Sequence, residues 1–136
     1  MRGTAATGDK MKRLCFLLLC VATQAGAADW IKMRELDNQT LYLDKSSFHK
    51  GGDSVRFWEK VVLKKAEMVR GKEVKTLKAQ YSISCSKKTQ QVKSAVFYSA
   101  RGDVVGSLGK QEKTPIVPGT LRELPYDALC KSRIAG

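Results

Sequence analysis

The sequence predicts an α+β fold: an antiparallel sheet of about five to six strands, with one C-terminal α-helix packed on a face and disulfide-linked to it. Three observations carry this expectation. From Leu77 to Cys85 apolar and polar side chains alternate, which is the period of a strand with one buried and one wet face. Turn segments recur between apolar runs, at Gly51-Gly52-Asp53, Arg70-Gly71-Lys72, Ser86–Thr89 and Arg101-Gly102-Asp103. After Pro118-Gly119 the pattern changes to that of a helix start.

Taken in chain order, residues 1–27 read as an export signal rather than as part of the fold. Lys10, Lys12 and Arg13 precede the apolar run Leu14–Val21, and Ala25-Gly26-Ala27 places small residues where a signal peptidase cuts. The run is shorter than the about 20 residues of a membrane-spanning helix, so a cleaved signal is favoured over an anchor. Met11, beside the basic cluster, offers an alternative start. Leu17-Leu18-Leu19 precede Cys20 where a lipid-attachment cysteine follows a small residue, so Cys15 and Cys20 read as apolar filler and the product as no lipoprotein. Residues 28–136 then form a single domain, exported to the periplasm or to the cell surface and beyond.

Within that domain a first strand is expected near Ile31–Leu36 and a short one at Leu41–Leu43. A long strand runs from Val55 to Met68, with Val55, Phe57, Val61 and Leu63 on one face. The alternating run Leu77–Cys85 follows, with Cys85 on the buried face. Val92–Ala100 puts Val92, Val96, Tyr98 and Ala100 on one face, and Val104–Leu108 completes a hairpin. Thr120 and Glu123 have the spacing of a capping box. Pro125 leaves two arrangements open: a single turn before a helix that starts at Pro125, or a helix bent there. Tyr126, Leu129 and Cys130 fall on the face that would lie on the sheet.

The whole chain carries 25 Lys and Arg against 13 Asp and Glu. Without residues 1–27, which hold four basic residues and one acid, the balance is 21 against 12, or +9. That charge bears on solubility and attraction to anionic surfaces rather than on fold. Two cysteines remain in the exported portion, Cys85 and Cys130; an even count in an oxidising compartment reads as a disulfide.

Catalytic constellations are absent from the sequence pattern. His49 is the one histidine, in a Lys-Gly-Gly context that reads as a solvated loop. There is no phosphate-binding glycine loop, nucleophile elbow or metal-ligand spacing. An enzyme is not expected, and neither is a cofactor or a metal. The candidate binding patch is the outward face of the long strand, Arg56, Trp58, Lys60 and Lys64, with Lys78 beside it and Lys87, Lys88 and Lys93 as extensions. Cations and an aromatic ring suit anionic polymers, and an ordinary lysine-protected sheet surface is the plainer alternative. Arg101-Gly102-Asp103 spells an integrin-recognition tripeptide, yet Gly-Asp is a common turn pair, and the turn is favoured.

The order of features resembles the surface-adhesin protein E-like domain of Gram-negative bacteria. The early Trp30, the strand end Tyr42-Leu43-Asp44, the strand closing at Cys85, the segment from Tyr98 to Gly102, and Ile116-Val117-Pro118-Gly119-Thr120 leading to Cys130 carry it, over nearly the whole exported portion. The resemblance implies an antiparallel sheet with a C-terminal helix and a role in binding host extracellular-matrix proteins; the charge and the basic face add anionic glycans as expected partners, and nucleic acid is not one. The chain departs from the family pattern in lacking a lipid-attachment site and in placing Pro125 in the helix. A periplasmic accessory protein without a host ligand is the second functional expectation.

Overall fold

A computed structural model of the protein describes residues 27–131. The export signal read over residues 1–27 lies, apart from its last residue, outside the described residues. The fold is an antiparallel meander in which the first six strands are neighbours in chain order. They are β1 (Trp30–Glu35), β2 (Gln39–Gly51), β3 (Ser54–Val69), β4 (Lys72–Ser84), β5 (Thr89–Tyr98) and β6 (Val104–Leu108). A two-residue strand, β7 (Thr114–Pro115), pairs with the start of β5, so β6 and β7 share one edge. The chain between them is tied to the sheet where Gln111 donates its backbone N–H to the Val92 carbonyl at 2.9 Å.

The expected strands are present, and β2 and β4 are several residues longer than the apolar pattern marks. β2 runs on from Leu43 to Gly51 through an irregularity between Asp44 and His49. Asp44 makes that irregularity tolerable: its Oδ1 accepts from the backbone N–H groups of Asp29 and Ser46 and from Ser46 Oγ. These bonds satisfy donors that the interrupted ladder leaves over. His49 therefore lies in a strand opposite Arg56, exposed, and not in a loop. Between β3 and β4, Arg70 and Gly71 both have positive φ, 51° and 79°. This is the two-residue hairpin geometry that matches strand twist and that glycine adopts without steric cost.

One face of the sheet is buried. Leu43, Val55, Phe57 and Ile83 pack there against Ile116, Tyr126, Ala128 and Leu129. Phe57 stacks on Tyr81 with centroids 5.7 Å apart. On β5 the expected face divides. Val96 lies opposite Lys78 on the open face, whereas a register shift at Gln80/Tyr81 sets Val92 opposite Tyr81 on the buried one. The buried residues of β5 are Gln91 and Ala95.

The C-terminal helix is shorter than expected. It consists of one α-turn, α1 (Glu123–Tyr126), running into a π-helical turn at Asp127–Lys131. Neither arrangement left open for Pro125 holds. The helix begins two residues earlier, and buried Pro125 sits in its first turn, where a missing N–H costs no intrahelical bond. The capping box does not close. Thr120 Oγ1 donates to the Val117 carbonyl at 2.6 Å, and Glu123 Oε1 accepts from the Gly119 N–H at 3.3 Å. Cys85 and Cys130 form the disulfide, with Cα atoms 5.5 Å apart, and the Tyr126 hydroxyl donates to the Cys85 carbonyl at 3.1 Å. Helix and sheet are thus fastened at one point by a covalent bond, a hydrogen bond and apolar packing.

A cationic aromatic face as the candidate functional site

Residues of β3 alternate across the sheet, so Arg56, Trp58, Lys60 and Val62 share the face that the helix does not cover. The register places Ser82 opposite Arg56, Gln80 opposite Trp58 and Lys78 opposite Lys60. Lys64 stands exposed at the end of this regular ladder, its N–H bonded to the Asn38 carbonyl at 2.9 Å. The patch read from the sequence is therefore contiguous. Its aromatic component is larger than Trp58. Lys60 Nζ lies 4.5 Å from the Trp30 ring centroid and 4.9 Å from that of Tyr42. Lys78 Nζ lies 5.1 Å from Tyr98 and 5.9 Å from Trp30. Two lysines are interleaved with three rings contributed by β1, β2 and β5. Trp58 itself is half-buried between Asp44 and Gln80.

Lys60 and Lys78 are like charges directly opposite one another, an arrangement that disfavours a sheet pair. Burial first, and the Lys78 charge second, hold the Lys60 ammonium below the ordinary lysine range. Among the described residues neither lysine joins an ion pair. The ring faces offset part of the repulsion, since cation–π contacts contribute about 0.5–1 kcal/mol at exposed sites. An external anion would relieve the remainder.

Further along the same face a polar cleft of about 530 Å³ is lined by Ser82, Ser84 and Gln91 and ringed by Lys87, Lys93, Lys110 and Lys113. A shallower hollow of about 320 Å³, holding His49 and Arg56, shares Lys93 with it. Asp53 is the acid at this end. Hydrogen bonds from Ser84 and then Ser86 hold its carboxyl below the usual carboxylate range. Lys110 and Lys113 escape a strand-by-strand reading because they come from the segment between β6 and β7. Lys88 does not extend the face: its Nζ lies over the Tyr126 ring at 5.3 Å, beside the helix.

Arg101, Gly102 and Asp103 form the exposed tip between β5 and β6. Ser99 and Asp103 close it, with the Ser99 N–H bonded to the Asp103 carbonyl at 2.9 Å, and Gly102 supplies a φ of 89°. Among the described residues no group of three or more His, Cys, Asp or Glu side chains converges as a metal site would require.

The buried face holds a charged pair that the sequence pattern did not single out. Glu59 is 2 % exposed, and Arg122 Nη1 reaches both its carboxylate oxygens, at 2.7 and 2.9 Å. Arg122 Nε donates to Gln90 Oε1 at 2.9 Å, and the guanidinium lies 4.2 Å from the Tyr81 centroid. Burial pushes the Glu59 carboxyl above its ordinary value, against the opposing pull of Arg122.

These features define a small disulfide-stapled sheet domain that presents a cationic, ring-bearing surface opposite its helix. The chain belongs to the surface-adhesin protein E family, whose family model matches residues 30–131. Two solved structures illustrate the fold. Protein E from non-typeable Haemophilus influenzae is similar at a TM-score of 0.54 and 19% identity, over 74% of this chain and 75% of that one. A second crystal form of Haemophilus influenzae protein E gives 0.56 and 18%, over 79% and 94%. At these identities the likeness is one of fold. No curated protein matches the chain. Among the described residues no helix is long and apolar enough to cross a membrane.

Proposed function

We propose that the protein is exported by a cleaved signal and acts, without catalysis, as an adhesin of the bacterial envelope, holding anionic polymers on its open sheet face. Sulfated glycans of the host matrix, and matrix proteins that carry them, are the ligand class. The observation that carries this reading is the pair Lys60 and Lys78, two cations without an ion-pair partner among the described residues, set among Trp30, Tyr42 and Tyr98. Rings give a sugar or peptide a flat apolar surface, while the ammonium groups meet sulfate or carboxylate. Lys93, Lys110 and Lys113 prolong the track around a cleft rich in hydroxyl and amide groups. The membership in an adhesin family supports the same reading.

The test compares Lys60→Gln/Lys78→Gln with Asp103→Ala on immobilised heparin and on matrix proteins, across a salt series. Both variants should melt as the parent does, because the lysine pair is mutually repulsive and the aspartate side chain is exposed. The lysine variant should bind more weakly and lose salt sensitivity, since screening acts on the charges it has lost. Loss of binding in Asp103→Ala alone would move the function to the Arg101–Asp103 turn.

A further inference from the structure

The helix and its disulfide cover only one half of the buried sheet face. Past the Glu59–Arg122 pair Val61, Leu63, Leu77 and Phe97 are apolar and only partly covered, beside buried Val74. Two adjoining cavities, of about 290 and 400 Å³, share Val69, Val74 and Phe97. The first continues over Val61, Leu63 and Leu77 to Arg122; the second opens between Val105 and Leu108, with exposed Arg70 and Lys72 at its margin. The result is an apolar trough with cations at its outer end and a mutually neutralised ion pair at its inner end.

We infer that this trough binds a free single-chain anionic amphiphile of the fatty-acid class. The alkyl tail lies along Phe97, Val74 and Leu77, and the carboxylate rests against Arg70 and Lys72. The cavity volumes fall at the lower end of small-molecule sites, about 300–1,000 Å³, which are mostly apolar with a few placed polar groups. Charge decides the orientation. At the inner end the Glu59 carboxylate neutralises Arg122, whose Nη2 keeps no hydrogen-bond partner, so an entering carboxylate would meet a single donor beside an acid, whereas the outer margin carries two cations and no acid in its lining. A second copy of the chain, docked by two-fold symmetry, would bring two identical cationic margins into one interface. This site is on the opposite face from the glycan track and does not rest on it.

Gly106 supplies a specific test. It lies opposite Phe97 in the β5–β6 ladder and lines the second cavity. A Cβ there would meet the Phe97 ring at 3.5 Å, an ordinary contact, so Gly106→Leu should fill the trough without displacing backbone. The mature chain is titrated with dansylated undecanoic acid, followed by displacement with palmitate or with methyl palmitate. The expected result is saturable one-site fluorescence that palmitate displaces and the uncharged ester displaces poorly. Arg70→Gln/Lys72→Gln should weaken palmitate by about tenfold at unchanged melting temperature. Gly106→Leu should abolish probe binding while the variant still melts cooperatively and is retained on heparin. Absent or non-saturable fluorescence, equal displacement by the ester, or parental binding by Gly106→Leu would overturn the inference. So would a dimer in sedimentation that Gly106→Leu dissociates, or attachment to phosphatidylglycerol vesicles with no displacement by palmitate.

Discussion

Replacing Arg122 by methionine keeps most of the side-chain volume and removes the cation that faces Glu59. The carboxylate is 2 % exposed and has both oxygens on Arg122 Nη1. Breaking a buried pair by deleting one partner costs about 3–5 kcal/mol. Arg122 is 23 % exposed on its side chain, so water reaches the vacated side and the lower end, about 3 kcal/mol, is expected. The double variant Glu59→Leu/Arg122→Met should recover to within about 1 kcal/mol of the parent, because no charge then stays buried. The pH dependence gives a second check. Without Arg122 burial acts unopposed on Glu59, and its folded pKa rises further above the unfolded one. The folded state then binds that proton more tightly, so the variant is favoured at acid pH and loses stability as pH rises through the interval between the two values. The defect measured near neutrality should shrink towards about pH 4, in urea unfolding with the disulfide intact. A cost below about 1 kcal/mol, or a double variant no more stable than Arg122→Met, would mean that the pair is not held as a buried, mutually dependent ion pair.

The remaining expectations follow the same physical lines. Cys85→Ser/Cys130→Ser opens a 45-residue loop and should lower stability by up to about 4 kcal/mol, read as a fall in the urea midpoint; an unchanged midpoint would mean that the helix holds without its staple. Asp53 has a lowered folded pKa, so its contribution is present above the ordinary carboxylate range and disappears as pH falls through the folded value. Thermal melts of parent and Asp53→Asn should therefore converge in acid, and a gap that is constant with pH would contradict the assignment. Added protease should degrade the chain on intact cells if it is displayed at the surface; protection until the outer membrane is opened would confine it to the periplasm.

The strand pattern was legible where side chains alternate strictly. Leu77–Ser84 falls within β4, with half-buried Cys85 directly after it, and Val104–Leu108 coincides with β6. Legibility failed where alternation is interrupted. Lys45–Lys50 does not read as a strand because an irregularity, supported by Asp44, breaks its period. Val92 parts from Val96 and Tyr98, with which it was grouped, because one shifted register step reverses every side chain beyond it. β7 is too short to leave a period. At the candidate site, period two sufficed to bring Arg56, Trp58, Lys60 and Lys78 to one face. The rings that flank the lysines were not foreseeable, since Trp30, Tyr42 and Tyr98 meet them through the register of separate strands. Glu59 did leave a signal: it occupies the inward position between Phe57 and Val61, where a charge requires a partner. Nothing local in the sequence names Arg122 as that partner, which lies 63 residues away.

Backbone and indole NMR shifts of a labelled chain beginning at residue 28, followed during titration with a heparin hexasaccharide, show whether the open sheet face is the ligand surface. The largest changes are expected at the Trp30 indole, at Lys60 and Lys78, and on towards Lys93 and Lys113, all fading as salt is raised. Changes confined to Arg101–Asp103, or to the Phe97–Gly106 trough, or no changes at low salt, would contradict that role of the face.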